Sequence, residues 1–200
     1  MRGDNQGING SIKQETAKMK TKTITIYNIN ELSEKAQENA HNNWLRDDHY
    51  PWETENRQSL EAFADVFPIK VKSWEYGGYS CPSINWTFTG DDTLSEMKGI
   101  RLWKYLKNNY TERKFKYGNN LLCGDYPFTG YCMDEDLIDP IRSFMNKPDK
   151  TASFNDLMGD CLNSWLSACN SDAEYNHSFP AFKEISEANE WEYDETGEIV

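Results

Sequence analysis

The sequence predicts an α+β protein in which a small antiparallel sheet is packed by several helices. Runs of alternating β-branched and aromatic residues near 23–27, 69–75 and 83–89 predict three short strands. Apolar residues recur at three- and four-residue steps later in the chain, and they predict a longest helix near 154–171. Strands that cluster early and helices that cluster late are typical of α+β folds.

We expect a flexible leader over residues 1–22 and a single domain over residues 23–200. The strand at 23–27 is followed by an Asn-rich turn and by a helix whose apolar face recurs every four residues. That face consists of Leu32, Ala36, Ala40 and Trp44. A second helix, from about Thr54 to Val66, is ended by Pro68.

The strands at 69–75 and 83–89 flank Gly77-Gly78, which predicts an antiparallel hairpin. A helix is expected over 98–110, a loop over 111–133, and a helix near 135–145 that Pro140 interrupts.

Ser153 and Asp156 predict a capping box at the start of the longest helix. Cys161 and Cys169 lie on its apolar stripe and are expected in the core. Cys123 and Cys132 flank a Gly/Tyr/Pro loop, where a metal or redox role stays open. A short helix and a last strand at 191–193 complete the chain.

The formal charge of −12 is unevenly distributed: residues 1–22 carry a net +3, and the remaining residues carry −15. An acidic body repels phosphates and is attracted to basic protein surfaces. No apolar segment indicates a secretion signal or a membrane span, and the cysteine count is odd. These features predict a cytoplasmic protein with reduced thiols.

Asp134, Asp136 and Asp139 form the densest carboxylate group in a predicted loop. Carboxylates can hold Mg²⁺, so a metal-assisted hydrolase is one alternative. Acidic residues also favour the first turn of a helix, and we prefer that interpretation here. No motif specifies a catalytic residue, a metal ligand or a cofactor, so we expect a protein that is not an enzyme.

The segment 98–117 is basic and rich in aromatic residues, a pattern typical of nucleic-acid contact. It predicts an alternative nucleic-acid-binding site, with weak direct contact to nucleic acid. The candidate residues are Arg101, Lys104, Lys107, Arg113, Lys114 and Lys116. A solvated helix face is the competing interpretation.

From Ser153 to Val200 the balance reverses, with eleven acidic residues and one basic residue. Such a surface can imitate a phosphate backbone. Exposed charges of one sign also keep a protein soluble, which is the competing interpretation. Aromatic neighbours favour an interface. The predicted partner-binding residues are Glu184, Glu187, Glu190, Glu192, Asp194 and Glu195.

Several segments resemble a group of small bacteriophage proteins with an ELSEKA-type N-terminus, a CLNSW helix and an EANEWEY tail. The similar segments are Thr25–Ala36, Phe128–Cys132, Asp136–Pro140, Asp156–Trp165 and Glu187–Tyr193. The resemblance covers residues 23–197, and the leader departs from it. It implies a phage origin and, by analogy of class, an antagonist of host defence such as an anti-CRISPR protein.

We therefore expect a protein that binds and inhibits a bacterial nucleic-acid-targeting defence complex, with a CRISPR effector as the favoured target. The expected partner is a protein or ribonucleoprotein with a basic nucleic-acid channel, and the acidic surface would occupy that channel.

Overall fold

The computed structural model describes residues 23–46, 50–78, 81–110, 124 and 126–200. Within these residues, seven helices and a two-stranded antiparallel sheet make an α+β fold, as predicted. The helices are α1 (Glu34–Leu45), α2 (Glu53–Val66), α3 (Asp92–Ser95), α4 (Gly99–Tyr110), α5 (Met133–Asn146), α6 (Phe154–Asn176) and α7 (Phe179–Ala188). The strands are β1 (Ile69–Glu75) and β2 (Ser83–Phe88). The predicted leader over 1–22 lies outside the described residues.

The two strands form the hairpin that the glycine pair predicts. Ile69 pairs with Phe88 and Trp74 pairs with Ile84, with a register shift between Val71 and Ser73. Aromatic side chains of β2 pack on α6, where Phe88 meets Phe154 with ring centroids 5.5 Å apart.

The predicted strand at 23–27 is wrong as a member of this sheet. Among the described residues, pairing of this segment is confined to Tyr27. Its N–H donates to the Tyr193 carbonyl oxygen over 2.8 Å, and its own carbonyl accepts from the Tyr193 N–H over 2.9 Å. Ile24 and Ile26 stay 47% and 46% exposed. Period-two alternation indicates which residues share a face, but it does not supply a neighbouring strand.

The main core is built around α6, which continues to Asn176, beyond the predicted end near 171. It combines buried residues of α2, α4, α5 and α6 with the inner face of the hairpin. Cys161 and Cys169 are fully buried there, which confirms their predicted core position. Pro140 lies inside α5 without ending it, so the predicted interruption is wrong. None of the helices among the described residues combines the length and apolarity needed to cross a membrane.

A second core joins the first described residues to the last ones. It consists of Ile29, Leu32, Ala36, Ala40, Trp44, Phe182 and Tyr193. The Trp44 and Phe182 rings lie 5.4 Å apart between centroids, so α1 packs on α7. Gly197 has φ 91°, and a Cβ there would collide with the Ala36 carbonyl oxygen. The second core therefore holds the C-terminal turn against α1.

Candidate functional site

An acidic groove of about 420 Å³ lies between residues 26–31 and residues 186–192. The Tyr27–Tyr193 bridge forms it, because that pairing places the turn before α1 beside the end of α7. The two walls are distant in sequence: Asn30 Nδ2 donates to Glu187 Oε1 over 2.6 Å across 157 residues. The groove is therefore a product of the second core.

Four carboxylates line the acidic groove: Glu31, Glu187, Glu190 and Glu192. All four side chains are exposed. Across the described ranges, no basic side chain forms an ion pair with any of them. Two of the four have a neutral donor, since Asn30 bonds Glu187 and the Asn28 N–H donates to Glu31 Oε2 over 3.0 Å. This arrangement can hold cationic groups.

Glu190 occupies a position where glycine is usual. The Trp191 N–H donates to the Ser186 carbonyl oxygen over 3.0 Å, and the Glu190 N–H donates to the Glu187 carbonyl oxygen over 3.1 Å. This pair of bonds is the Schellman motif, whose left-handed residue is most often glycine. Glu190 adopts it with φ 52°. The chain thus keeps a carboxylate beside the groove at a conformation that L residues disfavour.

The other predicted partner-binding residues lie outside the groove lining. Glu184 is exposed on α7 and accepts from the Tyr175 hydroxyl over 3.3 Å. Glu195 is exposed in the C-terminal turn. Asp194 stabilises that turn, because its Oδ1 accepts from the Thr196 hydroxyl and N–H over 2.7 and 2.8 Å. These bonds lower the pKa of Asp194 and engage its carboxylate within the chain.

The acidic character extends over the whole second-core region. Residues 23–46 and 178–200 contain ten acidic and three basic side chains, a net charge of −7. Apolar groups adjoin the carboxylates, since Ile26 and the half-buried Trp191 also line the groove. The site therefore combines carboxylates with apolar contact area.

The basic segment is only partly within the described residues; Arg113, Lys114 and Lys116 lie outside them. Arg101 and Lys104 are exposed on α4, and Lys107 Nζ lies 4.9 Å from the Trp103 ring centroid. The described rings of this segment serve packing. Trp103 Nε1–H donates to the Met145 carbonyl oxygen over 2.9 Å, and Tyr105 packs edge-on against Phe154. Both rings are half-buried in these contacts, and the alternative nucleic-acid-binding site stays a prediction.

The structure does not bring Asp134, Asp136 and Asp139 together as a metal site. Asp134 is fully buried and accepts from the N–H groups of Phe128, Thr129 and Gly130. Asp139 is exposed and pairs with Arg142 at 3.4 Å. No group of three potential metal ligands occurs in the described part of the chain.

Cys132 is exposed, and Cys123 lies outside the described residues. A metal or redox role of these two cysteines therefore stays open.

Comparison of the chain with protein-family models, curated proteins and solved structures finds no match. The predicted relation to phage proteins stays a prediction. The sequence predicted Glu187, Glu190 and Glu192 as binding residues but not the opposite wall, where Asn28 and Asn30 were assigned to a turn and Glu31 was not named as a binding residue. A signal was present: polar residues cluster in that turn directly before a well-capped helix.

Proposed function

We propose that this chain is a binding protein whose acidic groove occupies a basic, nucleic-acid-binding surface of a bacterial partner and thereby inhibits it. The observation that carries the proposal is the convergence of Glu187, Glu190 and Glu192 on one groove, with no ion pair to them among the described residues. Exposed carboxylates without counter-ions attract basic surfaces and speed the encounter with them.

Apolar groups beside the carboxylates support a protein partner. Ile24 and Ile26 are about half exposed, and Trp191 is half-buried in the groove wall. Aromatic and aliphatic side chains at the centre of an interface supply most binding energy, whereas exposed charges mainly set rate and specificity. A basic protein surface with an apolar patch fits this combination better than free nucleic acid, which the carboxylates repel.

The specific target that we propose is a nucleic-acid-targeting defence complex, with a CRISPR effector as the first candidate. Such complexes hold nucleic acid in positively charged channels. The resemblance to phage proteins supports this choice of target. The chain would act as an inhibitor in the bacterial cytoplasm by competing with the phosphate backbone for the channel.

A tagged full-length chain tests the proposal by capture of partners from bacterial lysate, with and without nuclease. We expect a protein or ribonucleoprotein that survives nuclease treatment and elutes with salt, because salt screens exposed charge pairs. Capture of nucleic acid alone, lost on nuclease treatment, would contradict the proposal. It would favour the alternative nucleic-acid-binding site with Arg101 and Lys104 of α4.

The identified partner is then bound to the triple variant Glu187→Gln, Glu190→Gln, Glu192→Gln. We expect at least tenfold weaker binding and a smaller dependence on salt. A matched variant, Glu61→Gln, Asp65→Asn, Glu96→Gln, removes the same charge from exposed positions outside the groove. Equal loss in both variants would indicate a general charge effect and would overturn the assignment to the groove. Asp194 is left unchanged because its carboxylate stabilises the turn.

A further inference from the structure

A second cavity, of about 190 Å³, is bounded by aromatic rings from three separate parts of the chain. Tyr50 precedes α2, Trp74 and Tyr76 lie at the end of β1, and His177 follows α6. We call this feature the aromatic cavity. None of its residues was identified as a site from the sequence, and the structure shows His177 half-buried.

The rings stand nearly at right angles to one another. Tyr50 and Tyr76 meet at 84° with centroids 6.1 Å apart, and Tyr50 meets His177 at 67° and 6.2 Å. Trp74 and Tyr76 both pack edge-on against the fully buried Trp165, at 82° and 86°. These contacts fix the walls before any ligand arrives, so little ordering remains to be done on binding.

Gly77 fixes the closed side of the cavity. It has φ 72°, and a Cβ there would lie 2.8 Å from the Ala173 Cβ. Its N–H donates to Asn170 Oδ1 over 3.1 Å. Only glycine combines this backbone conformation with so close an approach to α6.

The hydroxyl of Tyr50 takes part in a hydrogen-bond network. Its hydroxyl donates to Asp172 Oδ2 over 2.8 Å and accepts from the buried Asn56 Nδ2 over 2.7 Å. Burial is the main cause that raises the pKa of Tyr50, and the hydrogen bond to Asp172 raises it further. Burial also raises the pKa of Tyr76 to about 12. Both phenols therefore stay protonated near neutral pH, and donation to a carboxylate increases the negative potential on the Tyr50 ring face.

The electrostatic surroundings favour a cation. The exposed Glu53 lines the rim, and none of the described residues that line the cavity is a Lys or an Arg. Ala173 and His177 place the wall at the C-terminal end of α6, where the helix dipole is negative. Aromatic faces carry a negative quadrupole and attract ammonium groups within about 6 Å.

We propose that the aromatic cavity binds an alkylammonium group, either a free small cation or a lysine-type side chain of a protein. The volume suits one such group and lies below the roughly 300–1,000 Å³ of pockets for drug-sized ligands. Two Tyr rings, one Trp ring and one rim carboxylate among the lining residues suit such cations. This site is separate from the acidic groove and does not depend on the function proposed for it.

The test compares choline with its neutral analogue 3,3-dimethyl-1-butanol, which has the same shape without the charge. Full-length protein labelled with 5-fluorotryptophan is titrated with each, and the ¹⁹F resonance of Trp74 is assigned by its loss in Trp74→Leu. We expect choline to shift this resonance saturably and to bind about tenfold or more tightly than the alcohol. Absence of choline binding, or equal binding of the two compounds, would overturn the proposal.

Two variants and one further ligand complete the test. Glu53→Gln removes an exposed charge without a buried contact, and we expect several-fold weaker choline binding with no change for the alcohol. Asp65→Asn, on the same helix but outside this cavity, is the matched control and should leave choline binding unchanged. An equal effect of both variants would overturn the proposal. Tighter binding of Nα-acetyl-lysine methylamide than of choline would assign the site to a protein side chain; the reverse would assign it to a free quaternary ammonium.

Discussion

The N–H of Glu190 donates to the carbonyl oxygen of Glu187 over 3.1 Å, and this bond helps to close α7 beside the acidic groove. The same bond holds Glu190 at φ 52°. Two groove carboxylates are thereby linked through their backbones, and one of them occupies a left-handed conformation that glycine would adopt without strain.

We predict that Glu190→Gly stabilises the chain and weakens partner binding. The gain should be roughly 0.5–1 kcal/mol, because relief of left-handed strain exceeds the added entropy of the unfolded chain. Urea denaturation measures the stability. Glu190→Gln is the control: it keeps the strain, removes the charge and should weaken binding without stabilising the fold. Full partner binding by Glu190→Gly would show that this carboxylate is not used.

We expect Asp134 to make a large contribution to the free energy of unfolding. Its carboxylate bonds the Thr129 N–H at 2.7 Å and the Thr129 hydroxyl at 2.8 Å, besides the N–H groups of Phe128 and Gly130. Asp134→Ala leaves these donors without an acceptor and should cost about 3 kcal/mol in urea unfolding. Asp139→Ala removes one ion pair between an exposed carboxylate and the half-buried Arg142, and it should cost about 1 kcal/mol or less. Similar losses in the two variants would contradict this interpretation.

Because of the capping box of α6, the free energy of unfolding should depend on pH in the acidic range. The Ser153 N–H and hydroxyl donate to Asp156 Oδ2 over 2.9 and 2.8 Å, which lowers the pKa of Asp156 below its ordinary 3.8. A lowered folded-state pKa gives stability that is present above the ordinary value and is lost as pH falls through the folded-state value.

Ser153→Ala should therefore cost about 1 kcal/mol at neutral pH, and the deficit should shrink as pH falls below 3.8. Thermal unfolding between pH 7 and pH 2 measures this difference. Exposed Ser171→Ala, within the same helix, serves as a control that should show no such trend. A deficit that stays constant across the acid range would rule out the linkage.

The cysteines should fall into two reactivity classes. Cys81 and Cys132 are exposed, whereas burial raises the pKa of the Cys161 and Cys169 thiols. Since the thiolate is the nucleophile, buried thiols react slowly. In a Cys123→Ser chain, a disulfide exchange reagent should modify two thiols rapidly under native conditions and two more only in urea. Rapid modification of all four would contradict the packing of α6.

The sequence by itself determined the elements with strong local signals. Apolar periodicity and the Ser153–Asp156 pair defined the start of α6, and Gly77-Gly78 between alternating runs defined the hairpin. These succeeded because helix spacing, capping and turn chemistry are local properties of the chain. The same reasoning failed at 23–27, where the pattern was typical of a strand but, within the described residues, only Tyr27 pairs, with Tyr193.

Only the tertiary structure decided which residues share a site. The wall of the acidic groove opposite Glu187 comes from Asn30, 157 residues away. Tyr50, which lines the aromatic cavity, donates to Asp172 across 122 residues. Local patterns carry no information on such pairings, because burial of the two cores brings distant segments together. Charge composition could therefore predict an acidic interface, while the groove and the cavity required the folded chain.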